Sequence, residues 1–235
     1  MGAVAGAAAA APATVGFRHV LGEAGRRLLG RREEARVGAV LLSAAAEVRA
    51  QQAAGRRLRD DGLFGNDTGR SDAEEIAEAA VLAAQRDPQE AKAPLIGKLL
   101  GRVQFDERVS APLAHLLIRE AEALTYRQLC CLALFTLNVR DSYSLPDHVS
   151  VGPDPLDPRV GLLQEILDLW RRTMLQQRAA DHPGTDIVLY APALRPAALE
   201  LVGLGGWLYE LMGLQDEIEP GELEALAALL RTSPA

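Results

Sequence analysis

The strongest candidates for chemistry in the sequence are two adjacent cysteines, Cys130 and Cys131, within the apolar stretch LTYRQLCCLALF. Two thiols can serve in redox chemistry or bind a metal, but a metal site requires further thiol or imidazole ligands at defined spacing. The four histidines are scattered along the chain and form no His-x-x-x-His pair. A helix that is apolar around most of its circumference is typical of a bundle interior, where free cysteine acts as a small hydrophobe. The pattern therefore predicts that the pair belongs to a core wall.

Other motifs give no better indication of catalysis. The stretch DDGLFGNDTG has the composition of a calcium loop, but its carboxylates miss the required positions and no closing glutamate follows. The GLGG at 203–206 lies inside an apolar helical stretch, and a phosphate-binding loop would lie between a strand and a helix. The carboxylates that could pair in space are Asp106, Glu107, Glu120 and Glu122. We therefore predict a protein that is not an enzyme, with no catalytic residue, no metal site and no cofactor.

Charge is distributed unevenly along the chain. Residues 17–59 contain ten arginines and four glutamates, whereas the whole chain has a net charge of −7. An acidic protein lacks the basic footprint of a general nucleic-acid binder, so we expect no nucleic-acid partner. Residues 17–59 are predicted to form a basic amphipathic helix, with the helical pattern running roughly over 24–58. The plainest interpretation is a helix docked on the rest of the protein, and the alternatives are pairing with its counterpart in an oligomer and lying on an anionic membrane. Its candidate interaction residues are Arg26, Arg27, Arg31, Arg32 and Arg36.

The elements that would position these residues are helices. The chain is rich in Ala, Leu, Arg and Glu and poor in the β-branched and aromatic residues that favour strands. Ser71 with Glu74, and Thr125 with Gln128, are capping boxes, and Asp-Pro or Glu-Pro pairs mark three further helix starts. Beyond the N-terminal helix we predict helices at 71–86, 88–103, 108–123, 125–138, 159–178, 197–213 and 220–232. The fold class is all-α, a helical bundle with a long N-terminal helix.

One region near the C-terminus interrupts the helical pattern. Residues 186–190, Asp-Ile-Val-Leu-Tyr, have the composition of a short strand, which would give a small β-hairpin between helices in the manner of a winged helix. The predicted organisation is a disordered Ala-rich leader at 1–16, the basic helix at 17–59, a linker at 60–70, a helical bundle at 71–143, a Pro-rich loop at 144–158 and a helix–hairpin–helix region at 159–235.

A resemblance to known proteins rests on several blocks. The blocks LRDDGLF, LTYRQLCCLALF and LYELMGL resemble a group of uncharacterised bacterial helical proteins. The layout, a helical chain with an Ala-rich leader and a C-terminal helix–hairpin unit, is similar to the abortive-infection alpha family of phage-defence proteins. This resemblance implies a bacterial defence role and supplies no catalytic residue.

Two functional hypotheses follow, and an enzyme with a site in the bundle is a third interpretation. The first is a non-enzymatic interaction or regulatory protein that binds a protein partner or its own copies through the N-terminal helix or the C-terminal region. The alternative is a bacterial stress or phage-defence factor that binds an anionic membrane peripherally through residues 17–59. With only two adjacent cysteines and no window of about 18 apolar residues free of charge and proline, we expect a cytoplasmic protein, with peripheral membrane attachment as the alternative, and no transmembrane span.

Overall fold

A computed structural model describes residues 30–65, 69–136, 141–149, 156–178 and 194–232 of the chain. The described residues are mostly helical, with one two-stranded antiparallel sheet near the C-terminus, as the predicted fold class requires. They divide into two compact units, 1–123 and 124–235. The division falls inside the segment 71–143 that the sequence predicts as one bundle, and the basic helix belongs to the first unit.

The described part of the first unit, residues 30–65 and 69–123, contains four helices. They are α1 (Arg31–Ala53), α2 (Asp72–Arg86), α3 (Lys92–Val103) and α4 (Ala111–Ala123). The helix predicted over 24–58 begins later, at Arg31, because Gly30 adopts an extended backbone and acts as the N-cap. The helix predicted from residue 88 begins at Lys92, because the Asp87 carboxylate accepts a hydrogen bond from the Gln89 amide and forms a turn before the helix. The capping box of Ser71 and Glu74 is confirmed.

Helix α1 packs closely on α3 and also contacts α2. The close approach depends on Gly97 and Gly101 of α3. A Cβ atom at position 97 would lie 2.4 Å from the Val40 carbonyl oxygen, and one at 101 would lie 2.8 Å from the Glu47 Cβ. The apolar face of α1 is buried in this contact. Its buried apolar residues are Val37, Val40, Leu41, Ala44 and Val48.

The predicted linker at 60–70 is partly incorporated into the first unit. Leu63 is buried, and its carbonyl accepts a hydrogen bond from the Ala73 amide at the start of α2. Just before the linker, the Arg59 amide donates to the Gln104 carbonyl at the end of α3. These contacts hold the chain between α1 and α2 against the helices on both sides.

The second unit is built around a short buried helix. Its elements are α5 (Tyr126–Leu134), α6 (Pro158–Arg171), β1 (Leu175–Gln177), β2 (Leu199–Leu201), α7 (Gly203–Met212), α8 (Leu214–Glu217) and α9 (Pro220–Arg231), with 3₁₀ turns at Asp141–Tyr143 and Pro196–Ala198. Helix α5 contacts α6, α7, α8 and α9, so it forms the centre of this unit. The predicted capping box of Thr125 and Gln128 begins it.

The two strands lie elsewhere than the sequence indicated. β1 and β2 pair antiparallel with Leu175 opposite Leu201 and Gln177 opposite Leu199. β1 occupies the end of the helix predicted over 159–178, and β2 the start of the one predicted over 197–213. The predicted strand at 186–190 lies outside the described residues. The order helix, two-stranded sheet, helix is the one that the sequence predicts for this region.

Candidate interaction face

The cysteine pair is buried in the centre of the second unit. Cys130 is 3% exposed and Cys131 is fully buried, which confirms the prediction that both form part of a core wall. Burial raises the pKa of the Cys130 thiol to about 12 and raises that of Cys131 as well. The raised pKa favours the neutral thiol form of both side chains, as expected for buried cysteines in an apolar core.

Polar side chains around α5 connect it to its neighbours. The Tyr126 hydroxyl donates to the Glu222 carboxylate of α9 at 2.7 Å, and burial together with this bond raises the pKa of Tyr126. On the other side, the Arg127 guanidinium donates to Glu165 of α6 at 2.5 Å, and the Gln128 amide donates to Asp168 at 2.9 Å. These hydrogen bonds connect α5 to α6 on one side and to α9 on the other.

The candidate carboxylates of the sequence do not converge. Asp106 is bound by the adjacent Arg108, Glu122 by Arg86 and Glu120 by Arg119. Glu107 is exposed. Across the described ranges, no group of three His, Cys, Asp or Glu side chains could hold a metal ion.

Of the five predicted interaction arginines, two lie outside the described residues, two are exposed and one is hydrogen-bonded within the first unit. Arg26 and Arg27 lie outside the described residues. Arg31 and Arg32 are exposed in the first turn of α1. Arg36 instead turns inward: its Nε donates to the Ala84 carbonyl and its Nη2 to the Gln85 carbonyl, both at 2.8 Å. Arg36 therefore caps the C-terminal end of α2.

A cleft of about 490 Å³ lies beside this contact, where the start of α1 meets the end of α2. It is lined by Arg32, Glu33, Arg36, Gln85, Arg86, Pro88 and Glu90. Arg36 already donates hydrogen bonds to carbonyls of α2, and Arg86 forms an ion pair with Glu122. Since the remaining charges have both signs, the cleft has no clear preference for an anion or a cation.

Two further arginines of the basic segment are also used internally. The Arg59 guanidinium is buried, pairs with Asp61 and donates to the Asp106 carbonyl at 2.9 Å and the Val109 carbonyl at 2.6 Å. The Arg56 guanidinium donates to the Phe105 carbonyl at 3.1 Å. Three of the seven described arginines of this segment, Arg36, Arg56 and Arg59, therefore donate to backbone carbonyls of the first unit.

The opposite side of α1 carries a face that sequence reasoning missed. We define the outer face of α1 as Arg31, Ala35, Gly38, Leu42, Ala46, Arg49 and Ala53, which recur at steps of three and four residues. Leu42 is 71% exposed at its centre. The signal was present in the spacing, but only the packing of α1 on α3 shows which side remains uncovered.

Comparison with known proteins gives no independent assignment of this face. No protein-family model, no curated protein and no solved structure matches the chain. None of the described helices has the length and the apolar content needed to cross a membrane.

Proposed function

We propose that the protein is a non-enzymatic interaction protein and that a helix of a protein partner binds the outer face of α1. The observation that carries the proposal is Leu42, which is 71% exposed in the middle of a regular helix. Among the described residues, the only other large apolar side chain with comparable exposure is Leu156. Gly38 and Ala46, one turn before and one turn after Leu42 on this face, are small and leave room for a second helix to pack against the leucine.

The composition of the face supports close packing by a second helix. Ala35, Gly38, Ala46 and Ala53 leave the backbone of α1 accessible, and the position of a Cβ atom at Gly38 has no neighbouring heavy atom within 4 Å. Helices with small residues at their contact approach to about 8 Å between axes. Full burial of one leucine side chain stabilises a contact by about 1.5–3 kcal/mol. A single helix docked here would therefore form a modest, reversible complex.

Lipid binding by the basic segment has less support. Arg36, Arg56 and Arg59 donate to carbonyls within the first unit and are not free to contact phosphate groups. The outer face of α1 contains one leucine and no aromatic side chain, whereas interfacial helices insert several bulky apolar residues. In flotation with anionic vesicles, we expect the full chain to remain with the unbound fraction. Flotation that added salt reverses would instead support the lipid hypothesis.

The direct test is photo-crosslinking in the cells that produce the protein. A benzophenone amino acid replaces Leu42 in one variant and Leu156, which is 86% exposed, in a matched control. We expect the probe at position 42 to give a discrete crosslinked protein product and the probe at 156 to give none.

A second pair of variants checks that the product depends on the face itself. With the probe at Ala46, the substitution Leu42→Glu should abolish the product, because it places a charge at the centre of the contact. Absence of any product from positions 42 and 46, or an equal product from position 156, would contradict the proposed function.

A further inference from the structure

The charges on the outer face of α1 restrict how an identical helix could pack on it. Arg31 and Arg49 lie on the face and are exposed. In a parallel pair of identical helices each arginine would meet its own copy at the same height, and facing like charges are destabilising. In an antiparallel pair centred on Leu42, Arg49 instead lies opposite Ala35 of the second copy, seven residues to the other side of the centre. The face therefore favours an antiparallel arrangement.

Glu34 supplies a charge complementary to Arg49. With a rise of about 1.5 Å per residue, Glu34 lies about 12 Å on one side of Leu42 and Arg49 about 10.5 Å on the other. Each residue advances about 100° around the helix axis. Glu34 therefore lies about 80° and Arg49 about 20° from Leu42, both toward the same edge of the face. Residues on the same edge meet across an antiparallel pair that is related by a two-fold axis.

Both charged side chains are available for this contact. Glu34 and Arg49 are exposed, and neither forms an ion pair or a side-chain hydrogen bond with another described residue. The residues one turn from Leu42 also fit together, because Gly38 of one copy lies at the height of Ala46 of the other. Two small residues at these heights allow the helices to approach closely on both sides of the central leucines.

We propose that the partner of this face is a second copy of the chain. The two α1 helices pack antiparallel with their Leu42 side chains in contact on the two-fold axis, and Glu34 of each copy pairs with Arg49 of the other. This inference rests on the proposed function, since it names the partner of the same face. The contact is isologous, so each ion pair occurs twice.

Sedimentation velocity of the purified full chain tests the arrangement. The wild type should dimerise in a concentration-dependent manner, weakly enough to need concentrations up to about 1 mM, because the face is small. Glu34→Arg and Arg49→Glu should each weaken dimerisation by about tenfold or more at low salt, since each turns two attractions into two repulsions. The double variant should regain the affinity of the wild type.

An equimolar mixture of the two single variants gives the sharpest result. One chain then has arginine at both positions and the other glutamate at both, so the mixture should form a heterodimer although each variant alone is monomeric. Arg57→Glu is the matched control, because it makes the same charge change at an exposed residue outside the outer face and should leave dimerisation unchanged. Circular dichroism should show that all variants remain folded, since the replaced side chains are exposed.

Three outcomes would overturn the inference: a wild type that stays monomeric at every concentration, a Glu34→Arg variant that dimerises like the wild type, or a mixture that forms no heterodimer. If the wild type is monomeric but the probe at Leu42 crosslinks a different protein in cells, the second copy is refuted and the proposed function stands. If that probe gives no product at all, the proposed function fails with it.

Discussion

The packing of α1 on α3 predicts opposite effects for the same substitution at two glycines. Gly97→Ala places a methyl group 2.4 Å from the Val40 carbonyl oxygen and 2.7 Å from the Ser43 Cβ, where ordinary contact begins near 3.4 Å. The Val40 oxygen belongs to the backbone of α1 and cannot rotate away. The two helices must therefore separate by about 1 Å at this point, and such a gap forfeits a quarter to a half of the local dispersion attraction.

The expected change in the free energy of unfolding of Gly97→Ala is the difference between two opposing contributions. Alanine is better than glycine in a helix interior by about 1 kcal/mol, which favours the variant. Overpacking a close contact costs about 2–4 kcal/mol here, at or above the usual range because a backbone atom is the obstacle. We expect Gly97→Ala to lower the free energy of unfolding by about 1–3 kcal/mol. Gly38→Ala, on the outer face of α1 with open space around it, should raise that free energy by about 0.5–1 kcal/mol.

Urea unfolding followed by far-UV circular dichroism provides the assay, at protein concentrations low enough to exclude self-association. For a slope of about 1–3 kcal/mol per molar urea, the midpoint of the first unit should fall by about 1 M in Gly97→Ala and rise slightly in Gly38→Ala. Hydrogen exchange of peptides from α1 and α3 would locate the change. The reasoning is refuted if both variants shift the midpoint in the same direction, because the contact at Gly97 would then not limit the approach of the helices.

Three further predictions concern other buried contacts. Burial raises the pKa of the Glu47 carboxyl, but hydrogen bonds from its side-chain neighbours and nearby positive charges outweigh burial and lower it below 4.5. Glu47→Gln should therefore lower the urea midpoint at neutral pH. The difference in midpoint between the variant and the wild type should shrink as the pH falls below 4.5, because protonation of Glu47 then removes the stabilisation by its charged form in the wild type too. Cys130 and Cys131 should not react with a thiol reagent in the native protein at neutral pH and should both react in urea; rapid native labelling would contradict their burial. Gly205→Ala should lower the thermal midpoint of unfolding, because a Cβ atom at 205 would lie 2.3 Å from a backbone carbonyl oxygen. Gly206→Ala should raise that midpoint, because a Cβ atom at 206 would lie in open space. Tryptophan fluorescence would follow both transitions, and equal shifts would contradict this prediction.

Four helix starts, those predicted at residues 71, 125, 159 and 220, agree with the structure within one residue, because their signals are local. The hydroxyls of Ser71 and Thr125 accept the third helical amide in the structure as the capping-box pattern requires. The late start of α1 was not predicted, because the pattern does not show that Gly30 adopts an extended conformation. The sequence predicts a helix over Leu175–Gln177, because the pairing of this strand with β2 is a long-range contact that residue preferences do not encode.

The candidate site could be predicted only in part, because its exposure depends on packing. The sequence places Ala35, Gly38, Leu42, Ala46 and Arg49 on one side of a helix, away from the apolar positions, but the pattern does not show that this side remains uncovered. Helix α3 determines which side of α1 is buried, because its glycines pack against the side that carries Val40 and Ala44. That preference cannot be read from α1 alone.

The same packing explains where the positive charge of the basic segment lies. Carbonyl groups at the C-terminal end of a helix lack intrahelical partners and carry partial negative charge, so a guanidinium is stabilised there. Arg36 fills this role at the end of α2 and Arg59 at the end of α3 and the loop that follows. Arg36 uses backbone carbonyls alone, whereas Arg59 also pairs with the Asp61 carboxylate two residues away. An arginine-rich stretch can therefore resemble a lipid-binding helix by composition while its side chains fix the ends of neighbouring helices. For α1, this leaves the outer face with Arg31 and Arg49 as its positive charges, and the antiparallel complementarity of Arg49 with Glu34 is what favours the proposed self-association over membrane binding.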